Sequence, residues 1–346
     1  MSTHATASAQ RPTVAITMGD PAGIGPELCL RALAEATLRQ ECTIVIFGDI
    51  SVLARVADLC HLPQPELVVS LAQWQANPQA TDPTVIDCAA VDASTVQPGQ
   101  VAKTCGQAAF TYIETAIQSA LRGEVDAITT APIHKEALHL AGVPFPGHTE
   151  IFAAHAKAER ACMMLTAEVI TTTFVTTHIG LLDVPTTITQ ERILDVIELT
   201  ADAMQRLRGR TPRIAVCGLN PHAGEHGLFG RQEEERIIVP AIQAAQAKGL
   251  TVEGPLPPDA AFVTSKRKQV DAYVCMYHDQ GHIPFKMLAF DDGVNTTLGL
   301  PIVRTSVDHG TAFDIAWTGK ASPISLYAAI RLGARLAERD DADRHA

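Results

Sequence analysis

The sequence predicts an α/β protein built on a mostly parallel sheet covered by helices. Three observations lead there. Short, β-rich apolar runs alternate with longer helix-compatible segments. The chain has 346 residues, 47% of them hydrophobic, enough to bury a large core in two domains or one large α/β unit. Several apolar runs also stop where clusters of unusual polar residues begin. In chain order the expected strands are Thr13 to Thr17, Thr43 to Phe47, Ala127 to Thr130, Thr171 to Thr176, Ile214 to Gly218 and Ala272 to Tyr277. Expected helices are Cys105 to Arg122, with apolar residues recurring at three and four, Thr189 to Leu207 behind a cap at Thr187, and Ser325 to Glu338. The Pro and Gln cluster from Leu62 to Asp82 reads as loop, and Asp340 to Ala346 as a frayed charged tail. No internal repeat is visible.

Composition excludes several classes. Charged residues are 19% of the chain and well spread, so disorder is expected only at the ends. A net charge of -11 argues against a sequence-independent grip on nucleic acid, which needs Lys and Arg to displace counterions. The eight cysteines include no CxxC pair and lie mostly in apolar runs, as in Tyr273-Val274-Cys275-Met276, and read as reduced, buried small hydrophobes. Met1 to Arg11 lacks the regions of a signal peptide and no run approaches a membrane span, so a cytoplasmic protein without membrane partners is expected.

A recurrence carries the chemistry. Thr171 to His178, Ile214 to His222 and Ala272 to His278 each place a histidine just after a strand-like run. In open α/β sheets, sites form outside the carboxyl ends of strands, so three imidazoles can converge on one cleft. Imidazole suits Zn, Co, Ni or Fe better than Mg, and three histidines with open positions make a catalytic metal site. Taken singly, each histidine reads equally well as a structural or surface residue. Asn220 to Glu225 and His278 to His282 are dense in groups able to orient an imidazole or move a proton, and are also ordinary polar turns. His282, four residues beyond His278, is a minor metal-ligand candidate.

Pro146-Gly147-His148-Thr149-Glu150 precedes a helical stretch, where backbone N–H groups and the Thr149 hydroxyl can face an anion. Lys286, Asn295 and Arg304 add a point charge, a neutral donor and a two-pronged donor, a set suited to phosphate or carboxylate. Lys and Arg usually sit on solvated surfaces, but the apolar flanks here, Pro284 to Leu288 and Pro301 to Val303, argue otherwise. Met18 to Glu27 is a glycine-rich turn between a strand and a helix, with Pro26 suited to the helix start. It matches neither a phosphate-binding Walker loop nor the GxGxxG fingerprint, and such turns are often tight packing alone.

Taken together, Met18 to Glu27, Gly147 to Glu150, Asn220 to Glu225, Tyr277 to Gly281 and Arg304 to Ala312 resemble the 4-hydroxythreonine-4-phosphate dehydrogenase family from about Val14 to Ala334. The resemblance implies a two-domain isocitrate/isopropylmalate dehydrogenase-like fold with an interdomain active-site cleft. It places the first domain at 12–140 plus about 300–336, and the second, with metal ligands and dimer contacts, at about 141–299. It implies one divalent metal per site (Zn, Co or Mg) on His178, His222 and His278, one ligand coming from the second subunit of a homodimer with shared sites. The implied substrate contacts are His148, Thr149, Lys286, Asn295 and Arg304. His309-Gly310-Thr311-Ala312-Phe313-Asp314 is similar to the adenosine loop of β-decarboxylating dehydrogenases, which implies NAD, with NADP the alternative, held by His309, Gly310, Thr311, Ala312 and Asp314. The implied mechanism is metal-assisted alkoxide formation, hydride transfer, and loss of CO2 from the 3-keto acid, with Asp279 and Lys286 as proton-transfer candidates.

Within the family, His282-Ile283-Pro284-Phe285 and Phe313-Asp314-Ile315-Ala316-Trp317 depart from the vitamin B6 branch and look like the branch oxidising 4-phospho-D-threonate or 4-phospho-D-erythronate. The alternatives are 4-phosphooxy-L-threonine, a terephthalate cis-dihydrodiol, which would need no Thr149, Asn295 and Arg304, and a non-catalytic metabolite-binding protein.

Overall fold

The structure, a computed structural model, describes residues 11–338, and the chain divides into two compact units. The polar N-terminal stretch before Arg11 and the tail Asp340 to Ala346 lie outside the described residues.

The first unit comprises Met1–Pro144, Gly310–Pro323 and Ala337–Ala346, so far as these are described. Its strands are β1 (Thr13–Thr17), β2 (Thr43–Gly48), β3 (Leu67–Ser70), β4 (Thr84–Asp87) and β5 (Ala127–Thr130), all parallel in the order β3-β4-β2-β1-β5. β1, β2 and β5 are almost wholly buried, which explains their unbroken apolar or Thr-rich sequences. The helix Lys103–Leu121 lays Tyr112, Ile113, Ala116 and Ile117 on this sheet.

The second unit comprises Phe145–His309 and Ile324–Leu336. Its strands are β6 (Cys162–Ala167), β7 (Ile170–Phe174), β8 (Arg213–Cys217), β9 (Thr251–Leu256), β10 (Ala272–Cys275), β11 (Val294–Leu298) and β12 (Val303–Val307), in the order β12-β11-β6-β7-β10-β8-β9. β12 to β7 pair antiparallel and β7 to β9 parallel. Because β7, β10 and β8 are parallel neighbours, their carboxyl ends share one sheet edge. That edge receives the segments carrying His178, His278 and His222.

The sequence-based reading needs correcting in three places. Leu62 to Asp82 is not all loop: it holds β3 and the helix Leu71–Ala76, whose start is fixed by a capping box between Ser70 and Gln73. The helix after β7 is Gln190–Arg208, capped by Thr189, whose Oγ1 accepts the Arg192 N–H at 3.1 Å. Thr187 cannot serve, because its hydroxyl donates to Asp183 O at 2.8 Å within the preceding helical turn. The second unit is also less parallel than expected, since the antiparallel strands β6, β11 and β12 carry Thr, Asn and Arg where an apolar pattern would mark them. All eight cysteines are free and six are buried. No helix among the described residues is long and apolar enough to cross a membrane.

Candidate active site

His178 follows β7 and His278 opens the helix His278–Leu288 after β10; their ring centroids lie 5.9 Å apart. Two imidazoles at that separation can share one ion, with metal–nitrogen bonds of about 2.0–2.1 Å. Asp279 Oδ1 lies 2.7 Å from His278 Nδ1, so the carboxylate holds that nitrogen's proton and leaves Nε2 as the donor nitrogen. His282 stacks on His278 at 3.6 Å with the rings 8° apart, and its Nδ1 lies 2.9 Å from His278 O. Burial lowers the His282 pKa to about 4, so this ring is neutral and its Nδ1–H donates to the carbonyl. Phe174, at the end of β7, closes the cluster 4.5 Å from His282.

His222 stands apart from this pair. It lies exposed on the turn after β8 and contacts Phe229, ring centroids 6.0 Å apart. Among the described residues, no three His, Cys, Asp or Glu side chains form a group able to hold a metal ion. Of the three histidines, the structure brings together His178 and His278.

The turn carrying His222 is unusual. His222, Ala223, Glu225 and His226 all have φ between +41° and +54°, a left-handed backbone that costs L residues roughly 1–2 kcal/mol each. Gln280 ties the neighbouring strand ends together: its Oε1 accepts the Met276 N–H at 2.6 Å and its Nε2 donates to Gly218 O at 2.7 Å.

The anion candidates occupy the same unit. Arg304 on β12 is only 2% exposed; it donates to Thr297 Oγ1 at 3.1 Å and lies 5.4 Å over the Phe152 ring. Burial lowers its pKa to about 10, against the pull of the Glu150 carboxylate, and the guanidinium stays charged at neutral pH. His148 begins the helix His148–Ala156; burial first, then the Arg304 charge, drives its pKa well below the usual value, so it is neutral. His148 Nε2 and Asn295 Oδ1 are buried without a hydrogen-bond partner, polar atoms of the kind a bound ligand satisfies. Thr149, half-buried, sits in the first turn of that helix. Lys286 pairs with Asp308, and burial lowers its pKa.

Of the proposed cofactor residues, His309 and Gly310 are exposed, Thr311 is buried, and Ala312 is left-handed at φ +42°. In the first unit this loop packs on the glycine-rich turn, with Ile24 N–H donating to Thr311 O at 3.1 Å. Asp314 is exposed, and Phe313 stacks on His134 at 4.7 Å.

The family profile described as pyridoxal phosphate biosynthetic protein PdxA matches residues 40–333. The chain belongs to the PdxA family. Among its relatives, a 4-hydroxythreonine-4-phosphate dehydrogenase of Desulforapulum autotrophicum is 45% identical over 337 residues, covering 96% of this chain and 98% of the relative. A D-threonate 4-phosphate dehydrogenase of Pectobacterium atrosepticum is 45% identical over 324 residues, covering 94% and 99%. The crystal structure of a Klebsiella pneumoniae 4-hydroxythreonine-4-phosphate dehydrogenase superposes with a TM-score of 0.85 at 45% identity, covering 96% and 100%. The α/β fold expected from the sequence is thus the fold of solved PdxA-family structures.

Reading the sequence missed Gln280 as a strand-end tie, and the buried pair Glu233 and Glu234 that braces the His222 turn. The contacts that make these ties, from Gln280 to Gly218 and from Glu233 and Glu234 to Asn220, span 62, 13 and 14 residues, so no local spacing announces them.

Proposed function

We propose that this PdxA-family enzyme is an NAD-dependent, divalent-metal-dependent dehydrogenase that oxidises and decarboxylates a 4-phosphorylated 3-hydroxy acid, 4-phospho-D-threonate or 4-phospho-D-erythronate ahead of 4-phosphooxy-L-threonine. The observation that carries this reading is the His178 and His278 pair, with Asp279 fixing the His278 tautomer, on a strand edge of a chain from a family whose similar members are named dehydrogenases. In this reading His222 of a second copy completes the metal site, making the enzyme a homodimer with shared sites. His178, His278 and the second copy's His222 would hold the ion, Zn, Co or Mg, which would supply Lewis acidity toward the substrate hydroxyl.

The chain's own residues do the rest. Asp279 holds the His278 proton on Nδ1 and so aims Nε2. Arg304, Asn295, Thr149 and the neutral His148 grip the phosphate, the buried guanidinium giving charge and direction. Lys286, poised by Asp308, protonates the carbon left when CO2 departs. Asp279 is the second proton-transfer candidate, and unchanged turnover after alanine substitution at either would exclude that role. His309 to Asp314 would hold NAD, which would supply the hydride acceptor. The relatives carry both substrate names at equal identity, so the branch preference rests on His282 to Phe285 and Phe313 to Trp317.

The test is NADH formation by metal-loaded protein with 4-phospho-D-threonate, 4-phospho-D-erythronate, 4-phosphooxy-L-threonine and a phosphate-free dihydrodiol, each with and without chelator. Chelator-sensitive turnover of one phosphorylated acid is expected. Activity on the dihydrodiol alone overturns the phosphate grip, and stoichiometric binding with no NADH makes the chain a metabolite-binding protein.

A further inference from the structure

The turn that presents His222 runs against the conformational preference of its own residues, and two buried carboxylates brace it: Glu233 takes the Asn220 side-chain amide and the Arg231 N–H, while Glu234 grips the main chain that leads into His222. Glu234 is 1% exposed. Its Oε1 accepts the backbone N–H groups of Leu219 at 2.9 Å and Asn220 at 2.8 Å, and its Oε2 accepts the Asn220 side-chain amide at 2.9 Å. Those residues lead directly into His222. The carboxylate also presses on the turn itself. A Cβ at Gly224 would lie 2.6 Å from Glu234 Oε2, and one at Gly218 would lie 3.3 Å from Oε1. At Gly224 the missing side chain leaves room for the carboxylate, whereas at Gly218 a Cβ would meet Ala223 first, at 2.9 Å. Glu234 opens the π-helical segment Glu234–Ile238, a local irregularity of the kind that re-aims a side chain at a functional site.

A buried carboxylate is retained against its desolvation only where its hydrogen bonds are met, and here three donors meet them. Four non-glycine residues at positive φ in one turn persist only where the surroundings over-determine them. We infer that Glu234 is a positioning residue for metal binding: by gripping Leu219 and Asn220 it fixes the left-handed turn that presents His222. This rests on the reading of His222 as a metal ligand. Glu234 itself does not touch the metal.

The experiment measures Zn2+ affinity of the full-length protein by competition with a chromophoric chelator, with the visible spectrum of the Co2+-loaded protein as a second readout. The variants are Glu234→Ala, Glu234→Gln and His222→Ala, each checked for a cooperative melt. Groups that orient metal ligands typically matter by about 10–100-fold in affinity, the loss expected for Glu234→Ala together with an altered Co2+ spectrum. Glu234→Gln keeps an oxygen for the two backbone donors but turns an amide toward Asn220, so a smaller loss, about three- to tenfold, is expected. If His222→Ala weakens binding while folded Glu234→Ala stays within about twofold of the unsubstituted protein, Glu234 is merely structural and the inference is overturned. If the alanine variant does not fold, wild-type affinity in Glu234→Gln overturns it equally. Unchanged affinity in His222→Ala removes the ligand reading, and this inference with it.

Discussion

The turn after β1 and the turn after β8 begin alike, with a buried strand running into glycines, a proline and acidic residues, yet they do opposite things with their polar groups. In Met18 to Glu27 the acids turn inward. Asp20 and Glu27 are fully buried; Asp20 accepts the Ala22 N–H at 2.9 Å and Glu27 the Thr318 N–H at 3.0 Å. Its glycines are demanded by backbone, since a Cβ at Gly25 would lie 2.0 Å from Met18 O. In Asn220 to Gly227 only Asn220 bonds inward, to Glu233 and Glu234, while His222, Glu225 and His226 are exposed, and left-handed conformations fall on His222, Ala223, Glu225 and His226 as well as on glycines. The first turn is a packing device that joins the strand to its helix and to the loop after Gly310. The second accepts strain to present a side chain.

The first turn is most sensitive at Gly25. Gly25→Ala drives a methyl group into main chain, and a loss of about 4 kcal/mol or more is expected in denaturant melts, the range of severe core disruption. A wild-type midpoint would refute the packing account of that turn.

Next in size is Asp20→Asn. Burial raises the Asp20 pKa to about 6, outweighing the Ala22 hydrogen bond and nearby His134. The folded state therefore holds this proton more tightly than the unfolded chain, and the protein loses stability as pH rises from about 4 through about 6. Asparagine keeps the oxygen for Ala22 and removes the charge. Melts should show a gain at pH 8, at most about 3 kcal/mol, that disappears near pH 4. An equal gain at both pH values would show that the buried charge is not its source.

The smallest effect belongs to the second turn. Ala223→Gly removes a Cβ from a residue at φ +52°, and a stabilisation of about 1 kcal/mol is expected. A destabilised variant would mean that the Ala223 methyl packs better than its backbone is strained.

The fold was legible where burial on both faces wrote itself as continuous apolar or Thr-rich runs. β1 and β5 fall on the residues expected, and β2, β7, β8 and β10 differ only at their ends. It was illegible where strands bury polar atoms: β11 reads Val-Asn-Thr-Thr-Leu, and β12 hides Arg304 among Thr and Ser. Leu67 to Ser70 is mostly exposed and lies inside the Pro and Gln cluster, which reads as loop. The family was legible from five ordered motifs, and the profile match and relatives confirm it. Which histidines meet was not. That depends on strand order, which places β10 between β7 and β8, and no spacing along the chain encodes it. Asp279 beside His278 could be suspected from adjacency, whereas Glu234 could not, because its role is to accept hydrogen bonds across 14 and 15 residues.

The proposed arrangement takes His178 and His278 from one chain and His222 from a second. It is tested most directly by co-expressing His178→Ala and His222→Ala chains with different tags and assaying the purified heterodimer for NADH formation. Each variant alone should be inactive. In the heterodimer one site combines the intact pair of one chain with the intact His222 of the other, and about half the wild-type rate should return. A heterodimer as inactive as its parents would contradict the claim.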